Sequence, residues 1–474
     1  MKKSITKPLF RLLLVLVLVA GCSTLVASDP LDTLYGKAVV VNRVLTPGAA
    51  ISATDTSSVP GFYEHQVRPV LENRCVVCHA CYDAPCQLKL SSPEGIDRGA
   101  SKQLVYDGTR LTAIPPTRLG VDAQSTTEWR AMGFYPVLNE RTQVPANHTQ
   151  ASVLYRMLKL KQENPLPNVE RLDDQFTFGL DREQACPRLD EMADFEKQHA
   201  LWGMPYGLPG LSGSENEILT RWLMQGGGMS KQPPLAAALQ KQVDAWEAFL
   251  NDDSLKQQLA SRYIYEHLFL AHLFFDGQRF DARHLNEPNA DKQTQHTFFQ
   301  MVRSSTPPGL PISVIATRQP FDDPGVKRVY YRLQRDESTV ISKTHMPYAL
   351  NAQQLAWMKS LFVTPNYTVS KLPDYQPDNV SNPFVTFRDL PVESRYRLML
   401  EHAQFTVMGF IKGPVCRGQV ALNVIDDHFW ALFIDPKQEN SQILSDFLVA
   451  QGSNLGIPNA TQEKGAGVAK VWVE

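Results

Sequence analysis

Apolar positions recur along the chain in two regimes, at helical spacing as far as Gly226-Gly227-Gly228, and beyond it as helical stretches alternating with β-branched and aromatic runs. The pattern predicts an α+β, multidomain protein: a mostly helical part over residues 61–230 and a mixed helix and strand part over 231–474. Ahead of both, Leu9 to Ala20 is apolar apart from Arg11 and follows Lys2, Lys3 and Lys7. That is the layout of an export signal over residues 1–22, too short to span a bilayer comfortably. Residues 23–60 carry little periodicity and end in a Ser/Thr/Pro-leaning stretch, Ser52 to Pro60, so they read as a linker.

In the helical part, Val67, Val70 and Leu71 predict a helix over Phe62 to Arg74, which Pro69 either starts or kinks. Far downstream, Ser212 and Ser214 are each followed three residues later by Glu215 and Glu217, a doubled capping-box signal. Ile218, Leu219, Trp222 and Leu223 then give an apolar helix face that the glycine run terminates. After it, Leu235 to Leu250 and Leu255 to Phe275 read as two long helices, the second apolar all round over Tyr263 to Phe275 and therefore buried or facing lipid-like material. Ile312 to Thr317 and Val326 to Leu333 read as strands joined by Asp322-Asp323-Pro324-Gly325, with Thr339 to His345 a third. Ala352 to Phe362 and Val392 to Phe410 read as helices around a proline-punctuated loop, Tyr367 to Asn382, with further strands at Gln419 to Asp426 and Phe429 to Ile434.

Composition narrows the class. An apolar content of 43% with 9% aromatics supplies real cores, and a net charge of −2 argues against a nucleic-acid surface. No Walker motif and no GxGxxG occurs, so a nucleotide cofactor is not expected.

The chemistry centres on Cys75-Val76-Val77-Cys78-His79. Two thiols at this spacing with a histidine directly behind form two thioether bonds to one haem and set an imidazole beneath the iron. Zinc would need a second ligand pair, whereas Cys186 and Cys416 stand singly, and a redox CxxC would not need the histidine. One motif predicts one covalent haem c, with Cys75 and Cys78 as attachment points and His79 as iron ligand. Met204 is the candidate sixth ligand, with Met132 and Met157 as rivals. Arg98, Lys102 and Arg118 are candidate partners for haem propionates, or else solvated surface charges. His267 and His272, beside Glu266, suggest a second metal site, but their spacing sets them on different helix faces, so locally satisfied core histidines are the preferred reading.

Val19-Ala20-Gly21-Cys22 has the form of a lipobox, which would make Cys22 an acylated first residue. Ser23 after it fits the outer membrane, and the compartment is the bacterial periplasm, where covalent haem is attached. Of the seven cysteines, Cys81, Cys86, Cys186 and Cys416 remain, an even number in an oxidising compartment. Three pairings are open, Cys81 with Cys86 being the local one, as are unpaired buried thiols.

A helix before CxxCH, a Met-Pro and a closing amphipathic helix resemble the class I cytochrome c layout, in which the first and last helices cross over the haem and the methionine completes the iron's coordination. More specifically, CVVCHACYDAPCQLKL from Cys75, with PTRL, GFYPVLN, YEHLFLAHL and GPVCRGQVALNVIDDHFW later, resembles the bacterial fatty acid cis/trans isomerases along essentially the whole mature chain. The resemblance implies a periplasmic, haem-dependent enzyme that turns cis-unsaturated acyl chains of membrane phospholipids, or free unsaturated fatty acids, into trans, lowering membrane fluidity under solvent or heat stress. It makes His79 the catalytic residue through its iron, with the Tyr263 to Phe275 segment a candidate wall for the acyl chain. Members of that family run further at the C-terminus than Val471-Trp472-Val473-Glu474, so the 231–474 region is expected to be incomplete. The competing class is an electron-transfer or sensor lipoprotein, against which the roughly 240 residues after Gly228 speak. Nothing in the sequence fixes the oligomeric state.

Overall fold

A computed structural model describes residues 29–401 apart from 42, 46–60, 81–83, 108–109, 113, 174–175, 177–183, 231–233, 276–296, 337, 339–346 and 381, together with residues 446 and 450. In chain order the helices are α1 Pro30–Tyr35, α2 Arg68–Arg74, α3 Pro93–Arg98, α4 Thr126–Ala131, α5 Pro145–Gln150, α6 Val153–Glu163, α7 Met192–Gln198, α8 Gly213–Met224, α9 Ala237–Leu250, α10 Leu255–Leu268, α11 Ala352–Phe362, α12 Pro377–Val380 and α13 Pro383–Thr386. The strands are β1 Val44–Leu45, β2 Tyr106–Asp107, β3 Arg110–Leu111, β4 Met229–Ser230, β5 His272–Phe274, β6 Phe298–Ser304, β7 Tyr330–Asp336 and β8 Pro347–Ala349. Short two-stranded pairs accompany the earlier helices, and one mixed four-stranded sheet serves the later ones, an α+β arrangement.

Pro69 decides how the first helix begins. Tyr63–Val67 forms a wide π turn, in which the Arg68 amide reaches back to the Tyr63 carbonyl, and the α-helix proper starts at Arg68 with Pro69 in its first turn, where a missing N–H costs nothing. Val67, Val70 and Leu71 from this stretch pack with Leu219, Trp222 and Leu223 of α8, and the Tyr63 and Trp222 rings lie 5.9 Å apart. The closing helix has the capping box Ser212 and Glu215; Ser214 with Glu217 is not a second one. Gly226 and Gly227 end it at φ of 88° and 72°, and the Trp222 indole donates to the Gly228 carbonyl at 2.8 Å.

The stretch read as a linker is partly built into this unit. β1 pairs in parallel with β4, and Arg43 beside it is 4% exposed. Its guanidinium donates to the Gly226 carbonyl at 3.0 Å, to Asp97 at 3.3 Å and to the Asn139 carbonyl. Arg130 grips Glu140 at 2.8 and 2.6 Å and donates to the carbonyls of Arg98 and Asp97. Isolated polar residues in an aperiodic stretch give no sign in sequence that they will be buried against one another.

The four-stranded sheet runs β7-β6-β5-β8, antiparallel except for the β5–β8 pair. α9, α10 and α11 share its core: Trp246, Leu250, Leu259, Ile264 and Leu268 meet Leu273, Phe299, Met301, Leu333 and Phe362. The helix expected to run to Phe275 stops at Leu268, and His272–Phe274 turns into a sheet strand; a short run buried on every side does not reveal its period. Ile312 to Thr317 contributes only a single bridge, Val314 to Ser304, and the partner of β7 is instead Phe298–Ser304. β7 itself starts at Tyr330 rather than Val326. α11 matches its expected limits, capped by Asn351 on the Gln354 amide, and residues 392–401 are helical as far as they are described. The strands expected at 339–345, 419–426 and 429–434 lie outside the described residues, as do residues 1–28 with their signal and lipobox.

One buried ion pair joins α9 to the sheet. Glu247 accepts from Arg332 Nε at 2.8 Å and from the Leu333 amide at 2.8 Å, while Arg332 also donates to the carbonyls of Pro307 and Leu310. The two parts of the molecule meet where Arg118 donates to the Thr317 carbonyl at 2.6 Å and Gln334 to that of Gly120 at 3.2 Å. Near this junction Asp336 receives His272 Nε2 at 3.1 Å. Burial opposes the charge on Asp336, but the bond from His272, that imidazolium and the Lys89 ammonium together hold its carboxyl well below the ordinary carboxylate range.

Two stability predictions follow from these pairs. Glu247→Ala leaves the Arg332 guanidinium buried without its counter-charge and is expected to cost about 3–5 kcal/mol, read by chemical denaturation. The depressed Asp336 carboxyl contributes stability that is present above its unfolded value of about 4 and is lost as pH falls below it. Asp336→Asn is therefore expected to flatten the acid limb of the stability curve from about pH 4 downward, in the same measurement.

Candidate functional site

α2 delivers its C-terminus to the cysteine pair. The Cys75 amide caps the helix on the Leu71 carbonyl at 2.8 Å, and the Cys78 and His79 amides both return to the Cys75 carbonyl, at 3.1 and 2.9 Å, so the chain curls through one more turn. Cys75 and Cys78 are both thiols and half-buried. Burial pushes the Cys75 thiol up to about 12, with Arg74 only partly offsetting it. A thiol held in its protonated form is a poor redox nucleophile.

His79 is 8% exposed and held by its own chain nine to eleven residues on. Its Nδ1 donates to the Leu88 carbonyl at 3.1 Å, and its carbonyl accepts the Leu90 amide at 2.7 Å. With the proton fixed on Nδ1, Nε2 carries the lone pair.

The strap that does this is conformationally unusual. Cys86 and Gln87 both lie in the left-handed region, at φ of 57° and 49°, which side chains other than glycine seldom adopt and which costs of order 1 kcal/mol or more at each. Four things hold them there. Cys86 is disulfide-bonded to Cys186, with 5.6 Å between Cα atoms, and its carbonyl accepts the Ser101 amide. The Gln87 side chain is anchored between the Gln103 carbonyl and the Thr117 hydroxyl. Its carbonyl accepts from Arg98, whose guanidinium also donates to the Thr117 carbonyl at 2.7 Å and lies 4.8 Å from the Phe134 ring. Burial lowers that guanidinium to about 10.

Several expectations change here. The pairing of Cys86 with Cys186 replaces the local Cys81–Cys86 option; Cys81, Cys416 and Cys22 lie outside the described residues. Arg98 holds the strap from inside, Arg118 is clamped on Asp122 at 2.9 and 2.8 Å, and Lys102 pairs with Glu191. Met204 lies where two apolar clusters meet, one containing Cys75 and the other Met157, and its amide donates to the Met157 carbonyl at 3.0 Å. Met157 is buried among side chains of α6 and α7, and Met132 is 38% exposed. His267 is a core histidine bonded to the Tyr263 carbonyl, and His272 pairs with Asp336, so the two do not converge. The Tyr263 ring, expected along a channel, packs 4.8 Å from Phe387 within the core.

Two residues near Met204 were not singled out in the sequence. Gly203 sits so close to α6 that an added Cβ would fall 2.3 Å from the Lys161 amide nitrogen, a contact only glycine allows. Lys161 itself is 2% exposed, and its Nζ is shut from solvent with no hydrogen-bond partner among the described residues. The signal was legible: Lys161 continues the buried stripe Leu154, Met157, Leu158 at seven residues' spacing.

Among the described residues no group of three or more His, Cys, Asp and Glu side chains gathers as a metal site, and no helix is long and apolar enough to cross a membrane. Of the proteins compared, no curated sequence and no solved structure matches the chain. A model of the fatty acid cis/trans isomerase family matches residues 114–474, a stretch that includes Met204, Lys161 and the whole four-stranded sheet. The chain belongs to the fatty acid cis/trans isomerase family and is an enzyme of that class, with a fatty acid or lipid as its substrate.

Proposed function

We propose that this isomerase carries one covalent haem c on Cys75 and Cys78, ligated by His79, and uses it to convert cis-unsaturated acyl chains to trans. The observation that carries the reading is the fixed imidazole of His79 directly behind two half-buried thiols. Nδ1 is committed to the Leu88 carbonyl, and a ligand histidine oriented through its other nitrogen is what haem iron requires. Cys75 and Cys78 sit on one turn and would hold the two vinyl-bearing edges. Met204, in the apolar layer next to Cys75, is the candidate sixth ligand.

Rotation about an intact carbon–carbon double bond faces a barrier above the roughly 8–23 kcal/mol that enzymes usually remove, so positioning alone does not suffice. When bound, the haem supplies an electron acceptor that lowers the bond order of the alkene long enough for rotation. The chain's own residues do the rest. Leu88 holds the ring of His79, the left-handed pair at Cys86 and Gln87 holds Leu88, and the apolar layer around Met204 excludes water from the alkene's approach. The trans product is the more stable isomer, so no reductant or nucleotide is consumed. Export by residues 1–22 and acylation of Cys22 would put the enzyme in the periplasm on the outer membrane, with phospholipid acyl chains or free unsaturated fatty acids in reach, which supports membrane stiffening under solvent or heat stress as the outcome.

His79→Ala is expected to abolish trans monounsaturated fatty acids in cells expressing the chain, measured by gas chromatography of membrane lipids after solvent challenge. Undiminished trans product from that variant would sink the haem mechanism.

A further inference from the structure

Among the described residues of the helical part, Lys161 is a buried cation whose burial the fold does not explain. An ammonium taken out of water is costly unless a counter-charge or acceptors replace its hydration, and among the described residues Nζ of Lys161 has neither. Simple packing would favour an apolar residue in the stripe it shares with Leu154, Met157 and Leu158.

Its surroundings indicate what is missing. The loop that carries Met204 closes over the side chain, with Gly203 against its backbone and Gly210 so placed that an added Cβ would lie 3.6 Å from Cγ. On its other side that loop is bonded to the residue preceding the cysteine pair: Arg74 donates to the Pro209 and Gly210 carbonyls at 3.1 and 2.6 Å. Gly210 thus lies between the Lys161 side chain and the Arg74 guanidinium. Met157, one turn before Lys161 on the same face of α6, fixes the Met204 amide. Lys161 therefore packs under the loop that carries Met204, on the Met204 side of the proposed cofactor crevice.

We infer that Lys161 receives a carboxylate at the edge of this crevice. Two carboxylates fit the place: a propionate of the haem, which is permanent, and the head of a free unsaturated fatty acid, which arrives with substrate. The first source rests on the haem reading above; the second rests only on the family's substrate. Either satisfies the lone ammonium by a charge-assisted hydrogen bond. A fatty acid held by its head would also set which carbon of its chain reaches Met204.

The test uses the full chain, exported and purified in detergent, as wild type, Lys161→Met and Lys161→Arg. A pyridine haemochrome spectrum first reports covalent haem; its absence overturns the haem reading and leaves Lys161 to be judged on lipid binding alone. With haem present and no lipid added, a propionate partner predicts a lower midpoint potential in Lys161→Met, since an uncompensated anion disfavours reduction, and restoration in Lys161→Arg. A fatty acid partner predicts an unchanged potential but a wild type that binds a cis monounsaturated fatty acid at least tenfold more tightly than its methyl ester, a preference that Lys161→Met loses. A Lys161→Met protein with unaltered potential and unaltered acid-to-ester preference overturns the inference. If Lys161→Met fails to accumulate, Lys161→Gln, which keeps the volume and removes the charge, takes its place with the same expected outcomes.

Discussion

An imidazole has two nitrogens, and the structure around Cys75 is arranged to fix which one bears a proton. The Leu88 carbonyl does this directly, by accepting from Nδ1 of His79 at 3.1 Å. That carbonyl is in reach only because Cys86 and Gln87, just before it, take a conformation that isolated residues avoid. The disfavoured turn is held by contacts that themselves come from distant places: Gln184 on the Cys86 amide, Gln103 and Thr117 on the Gln87 side chain, and Arg98 on its carbonyl. Strain concentrated at one strap and relieved by neighbours on all sides is how a fold holds a ligand in one orientation before the ligand's partner is bound.

The helical part depends on buried charge to an unusual degree for a region with an apolar core. Arg43, Asp97, Arg130 and Glu140 form one enclosed network, with Thr126 donating to the second oxygen of Asp97 at 2.5 Å. Such networks stabilise little compared with apolar replacements, but removing one member strands the rest. Their effect is to specify geometry: Arg43, beside β1, ties that strand to the glycine run after α8, closing the ends of the helical part on each other. In the second part Glu247 and Arg332 do the same between helix and sheet. Lys161 departs from this rule, and that is why it stands out.

What was legible in the sequence follows from how local the cause is. The Ser212 capping box, the Gly226 stop, the Asn351-capped helix and the cysteine pair with its histidine are each set by residues within a few positions, and they lie where their spacing indicates. What was missed is long-range. Arg98 has the same appearance in sequence whether it faces water or two carbonyls beneath a phenylalanine. Tyr263 to Phe275 has apolar residues all the way round a helix, so nothing in it announces that the helix ends at Leu268 and a strand begins four residues later. Cys86 had a nearer candidate in the sequence than Cys186, and chain proximity says nothing of which distant segment the fold brings against it.

That disulfide also joins the two halves of the site. The family match begins at residue 114, so His79 and its strap precede the matched stretch, whereas Met204, Gly203 and Lys161 fall within it. Cys86 and Cys186 are separated by 100 residues, and closing a loop of that length removes about 4–5 kcal/mol of chain entropy from the unfolded state. The bond is placed to act on the site as well as on stability: Cys86 starts the strap that orients His79, and the Cys186 carbonyl accepts the Tyr135 hydroxyl at 3.0 Å, next to the core shared by α2 and α8. An enzyme that has to admit a flexible acyl chain between two sides of a crevice needs those sides able to move without losing register, and a covalent tie at one edge provides that where apolar packing alone would not.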